Sequence, residues 1–134
     1  MSLWMPPLIY TAAIFAVSTL PLGRPPLIWR AQDKVVHLVE YAVLSALLFR
    51  AWRGGRGVAA AFLLAAAAAA ALGCLDELYQ SVIPSRTADP FDALADAVGA
   101  FIGGGGAAAA ALILGGRRAA AAGGAGGSTI EGES

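Results

Sequence analysis

From Val58 to Leu75 the chain runs for eighteen residues without one charged side chain. A helix that crosses a bilayer needs about 20 mostly apolar residues, within a range of roughly 17–25. Three more stretches approach that description: about Leu3 to Leu20, about Val35 to Trp52, and about Phe91 to Leu114. Breakers separate them. Pro21, Pro25 and Pro26 follow the first, Gly54, Gly55 and Gly57 follow the second, and Pro84 and Pro90 frame the connector after the third. Ala-rich runs favour helix, and an open sheet edge would leave its backbone groups unsatisfied in lipid. The pattern predicts an all-α fold, an integral membrane four-helix transmembrane bundle.

Composition agrees with that class. Only 13% of the 134 residues are charged and 58% are hydrophobic, with mean hydropathy +0.69. A soluble domain carries about 25% charge, so this chain has too little polar surface to wrap a water-soluble globule. Nine basic and nine acidic residues cancel, and nothing suggests a nucleic-acid partner. The single cysteine, Cys74, excludes an internal disulfide and a cysteine metal cluster. The first stretch lacks a basic leader and is longer than a signal-peptide core, so it is read as a span. Residues 1–115 are expected to form one transmembrane domain. Residues 116–134, rich in Gly and Ala, are expected to form a disordered tail.

The polar residues are not scattered. Successive spans alternate direction, so the start of span two, the end of span three and the start of span four share one side. Asp33, Lys34, His37, Glu40 and Tyr41 open span two. Asp76, Glu77, Tyr79 and Gln80 close span three, and Arg86, Asp89, Asp92 and Asp96 lead into span four. The other side holds Arg50, Arg53, Arg56, Arg117 and Arg118, with acids only in the tail.

Helical spacing sharpens the pattern. His37 lies three residues from Glu40 and four from Tyr41, on one face. Asp92 and Asp96 are four apart, and their stripe continues through Gly99 and Gly103, small residues that let helix backbones approach. The two aspartates therefore face the bundle. Ionisable groups at membrane depth are costly and usually mark function. Plainer duties are available to some of them. Asp33 and Lys34 suit the interface, and Asp89 before Pro90 suits a helix cap. Asp76 or Glu77 could pair with Arg86, and His37 with Glu40. Tyr79, Trp29 and Trp52 suit an aromatic belt. With the N-terminus inside, five inner basic residues against four outer ones place the polar cluster on the outer side.

These residues carry a resemblance. Asp33-Lys34-Val35-Val36-His37-Leu38-Val39-Glu40-Tyr41 resembles the D-K-x-x-H-x-x-x-Y block of the VanZ-like family. Asp76-Glu77-Leu78-Tyr79-Gln80 resembles its D-E-x-x-Q block. Arg86-Thr87, followed by Asp92 and Asp96, resembles its R-T-x-x-x-x-D block and the polar residue one turn later. Order and spacing agree over roughly residues 5–115. Ser85 stands where many relatives carry Gly, and Asp96 where many carry Asn. The resemblance implies a small multi-pass protein of the bacterial cytoplasmic membrane with four transmembrane helices. One member of the family is associated with resistance to teicoplanin, a glycopeptide that acts on cell-wall precursors outside the membrane. A shared fold does not by itself transfer that role.

Two functional readings follow. One is an enzyme acting on a lipid-linked or cell-wall-related substrate of the envelope at the outer leaflet. His37, Glu40, Asp76, Glu77, Asp92 and Asp96 are its candidate catalytic groups, with His37 as base or nucleophile oriented by Glu40 or Asp92. Lys34, Tyr41, Gln80 and Arg86 are its candidate substrate-binding groups. The other is a non-catalytic binder of a lipid head group or a glycopeptide antibiotic. The enzyme is preferred because an anion-binding site would not gather so many carboxylates. Membrane lipids are the expected partners in both. The sequence leaves cofactor and metal open: His and carboxylates suit a divalent cation, but no familiar ligand motif is present. A channel ranks last, because the spans below Glu40 and Asp96 are apolar.

Overall fold

The structure is a computed structural model that describes residues 2–20, 30–84, 86 and 88–126. The proline-bearing connector 21–29, Ser85, Thr87 and the end of the tail from 127 lie outside the described residues. Four helices follow in order: α1 (Met5–Ser18), α2 (Arg30–Trp52), α3 (Val58–Ser81) and α4 (Pro90–Gly126). Among the described residues there is no strand. The chain is a four-helix transmembrane bundle. The last three helices are each long and apolar enough to cross a membrane. At about 1.5 Å per residue, the 24 residues of α3 reach about 36 Å, beyond the hydrocarbon thickness of about 30 Å.

The first helix is shorter than the sequence suggests. It has 14 residues, or about 21 Å. It nevertheless runs from one end of the bundle to the polar site. At its start Trp4 meets Trp52 edge to face, with ring centroids 5.2 Å apart. At its end the Ser18 hydroxyl reaches Asp76. Its N-terminus has no side-chain cap, and Pro6 and Pro7 occupy the first turn, where a missing N–H costs nothing.

The last helix departs from expectation in the other direction. It continues to Gly126, past residue 115, so residues 116–126 are helical and not irregular. Ala119 to Ala122 explain this locally, because alanine has the highest intrinsic helix propensity.

The bundle is inverted relative to a soluble protein. Its exposed faces carry the large apolar side chains, such as Leu63, Leu78, Phe91 and Leu112. Its interior is built from Tyr41, Leu44 and Leu48 of α2, the alanine stripe Ala61, Ala65 and Ala69 of α3, and Ala100 of α4. The same interior holds His37, Asp76, Glu77, Gln80, Asp92 and Asp96. In lipid the hydrophobic effect does not drive helices together, so close packing of small residues must do so. Here α2 and α4 touch backbone to backbone. A Cβ on Gly99 would overlap the Leu38 carbonyl oxygen, and one on Gly103 would overlap that of Ala42. The stripe read from Asp92 through Gly103 therefore does face the bundle.

Candidate functional site: a buried His–carboxylate cluster

The site lies at the end of the bundle where α2 and α4 begin and where α1 and α3 end. Its arrangement follows from register. His37 is on the α2 face that meets α4, one residue before the point where Gly99 lets the helices touch. Asp96 precedes Gly99 by three positions and is fully buried. The His37 Nδ1 sits 3.0 Å from the Asp96 Oδ1. Asp96 fits there because α3 offers a glycine: a Cβ on Gly73 would stand 2.6 Å from the Asp96 Cβ.

The third helix supplies the rest. It continues to Ser81, so Gln80 stands one turn beyond Asp76 on the same face, and the Gln80 Nε2 donates to the Asp76 Oδ2 at 2.9 Å. Ser18 donates to the same oxygen from α1, also at 2.9 Å. The Asp76 Oδ1 is buried with no hydrogen-bond partner among the described residues. Glu77, the next residue, uses its Oε2 to accept the Asp89 backbone N–H at 2.8 Å. Its Oε1 is buried with no hydrogen-bond partner among the described residues, 4.0 Å from the His37 Nδ1.

Asp89 and Lys34 close the top of the cluster. The Asp89 Oδ1 accepts the Phe91 N–H at 2.9 Å, which is the expected cap of α4. Lys34 ion-pairs with the Asp89 Oδ2 at 2.9 Å and the Asp92 Oδ1 at 2.7 Å, with its ammonium 5.6 Å from the centre of the Phe91 ring.

A cavity of about 90 Å³ opens beside these groups, lined on its polar side by Ser18, Asp33, His37, Glu40, Asp76, Gln80 and Arg86 and on its apolar side by Ile14, Val17 and Val36. The Arg86 Nε is buried there without a hydrogen-bond partner among the described residues.

The candidate residues thus divide. His37, Glu40, Asp76, Gln80 and Arg86 line the cavity. Glu77 and Asp96 stand behind His37. Lys34 and Asp92 satisfy each other at the top. Tyr41 is completely buried, its hydroxyl 3.4 Å from the Leu72 carbonyl, and it does not line the cavity. The orienting partner of His37 is Asp96, not Glu40 or Asp92. Among the described residues Arg86 forms no ion pair with Asp76 or Glu77. Sequence reasoning missed Ser18, whose position at the end of the first span was the available signal. Asp33, which the sequence places in the polar cluster but which also suits the interface, lines the cavity.

The sequence matches the model of the family described as VanZ/LLP1 over residues 5–112. The chain belongs to the VanZ/LLP1 family. The match covers all of α1 to α3 and α4 as far as Leu112, so every side chain of this VanZ/LLP1 site falls inside it. No curated protein and no solved structure gives a significant match.

Proposed function

We propose that this VanZ/LLP1 protein is an enzyme of the bacterial cytoplasmic membrane. In this reading it acts on a lipid-linked or cell-wall-related substrate at the outer leaflet. The observation that carries the reading is the His37–Asp96 pair, 3.0 Å apart and buried, beside a cavity lined by Arg86, whose Nε has no hydrogen-bond partner among the described residues. An aspartate on Nδ1 fixes the tautomer and orientation of an imidazole and leaves Nε2 free to take a proton. Arg86 supplies donors of the kind that hold a phosphate or carboxylate. The apolar wall from α1, Ile14 and Val17, suits the acyl or isoprenoid part of such a substrate.

The test is turnover by protein reconstituted with extracted envelope lipids. Arg86→Ala is expected to lower kcat/KM by about 10- to 100-fold, the cost of one charge-assisted contact at roughly 1.5–3 kcal/mol. Equal turnover in wild type and variant would remove Arg86 from substrate binding.

A non-catalytic binder is the second reading, favoured by the same Arg86 Nε, which finds no hydrogen-bond partner among the described residues. It requires thermal stabilisation by anionic lipid or glycopeptide without conversion of either.

A further inference from the structure

We propose that His37, Glu77 and Asp96 together hold a divalent transition-metal cation, with Zn²⁺ the best match to the donor set. The proposal rests on the proposed function only for where chemistry takes place.

Three observations support it. The first is donor geometry. Zn²⁺ binds imidazole nitrogen and carboxylate oxygen at about 2.0–2.2 Å, so adjacent tetrahedral ligand atoms stand about 3.3–3.6 Å apart. The His37 Nδ1 lies 3.0 Å from the Asp96 Oδ1 and 4.0 Å from the Glu77 Oε1, separations that bracket this value. One ligand atom from each of the three residues lies within 4.8 Å of the others. The second is the Glu77 Oε1 itself. It has no hydrogen-bond partner among the described residues, its side chain is 8% exposed, and it faces the imidazole. A buried carboxylate oxygen left in that state is costly unless something positive meets it. The third is charge. Asp33, Glu40, Asp76, Glu77, Asp89, Asp92 and Asp96 gather at this end of the bundle, and among the described residues only Lys34 forms a lysine or arginine ion pair with any of them. Lys34 pairs with Asp89 and Asp92, which leaves Glu77 and Asp96, among the described residues, with only the His37 ring as an ion-pair partner.

A second triplet, Asp33, His37 and Asp92, is also compact enough for an ion. It is the poorer candidate because Lys34 neutralises its Asp92. Three protein ligands leave one tetrahedral position for water or substrate, as in catalytic rather than structural zinc sites. With Nδ1 on the cation, His37 becomes a ligand and gives up the base role that it holds in the metal-free site of the proposed function. Proton transfer then falls to Glu40 and Asp76, the carboxylates that line the cavity.

The test is metal content and binding by full-length protein purified in detergent, stripped with chelator and titrated with Zn²⁺ or Mn²⁺, with Mg²⁺ for comparison. The expected result is one equivalent of Zn²⁺ or Mn²⁺ per chain. Glu77→Gln, which keeps the side chain's shape, and His37→Ala should each weaken it by more than the roughly 10–100-fold that loss of an outer partner costs. Glu40→Gln, outside the ligand set, should still bind one equivalent. Size-exclusion profiles and thermal melts establish that each variant is folded. Wild type that binds neither metal overturns the proposal, as does binding that Glu77→Gln leaves unchanged. Lipid turnover without metal would remove the cation and keep the enzyme, whereas stoichiometric metal without turnover would keep the cation and remove the enzyme.

Discussion

Gly103→Leu will keep α2 and α4 from docking, and the purified protein will melt at a much lower temperature or fail to fold. The contact at this point is between backbones. A Cβ on Gly103 would occupy the place of the Ala42 carbonyl oxygen, and no rotamer change can make room. The helices must separate, which opens the packing of Leu44 below and of Ala100 and the His37–Asp96 pair above. Overpacking a core costs about 1–3 kcal/mol where side chains can yield. Against backbone the cost should reach or exceed the top of that range. Gly106 provides the contrast. Nothing lies within 4 Å of a Cβ built there, so Gly106→Ala should be neutral or stabilising by up to about 1 kcal/mol, because alanine is the better helix former. Thermal melts of both variants in one detergent make the comparison. Equal melting temperatures would mean that the α2–α4 contact does not hold the bundle together.

Asp96→Ala carries the second large effect, on activity. Asp96 is fully buried and holds the His37 Nδ1. Its removal leaves a buried ring nitrogen unsatisfied, at about 1–3 kcal/mol, and frees the imidazole to turn. A positioned acid–base group contributes about 10²–10⁴-fold, so turnover should fall by about 100-fold or more while the protein stays folded. Asp96→Asn should do less harm to stability, because an amide oxygen can still accept from Nδ1. Reconstituted protein assayed for turnover and melting temperature separates the two quantities. Normal turnover in folded Asp96→Ala would show that the pair is structural.

The fold was legible because its signals are coarse. Eighteen uncharged residues in α3 and the breakers around each span need no tertiary information. The gathering of polar groups was legible as well, since alternation of helix direction forces the ends of spans onto common sides. The pairings inside the gathering were not. Spacing within one helix predicts Gln80 with Asp76, and that bond forms. It is silent about partners on other helices. His37 has Glu40 and Tyr41 on its own face, yet its partner is Asp96, because the Gly99 contact sets how α4 docks and Gly73 makes room for the carboxylate. Tyr41 sits in the same motif as His37 but points into a packed interior. The helix ends were misjudged for local reasons. Ala119 to Ala122 carry α4 past residue 115. The first helix stops at Ser18, short of Leu20, with the serine hydroxyl turned in toward Asp76.

The most direct test of the account is a mass-spectrometric comparison of lipids and envelope precursors from cells expressing wild type and cells expressing His37→Ala at equal levels. The account predicts a lipid or lipid-linked precursor whose abundance changes with wild type and returns to the level of non-expressing cells with His37→Ala. Identical profiles from the two strains would contradict an enzyme acting on envelope lipids, and would leave the buried cluster to binding or to holding the helices together.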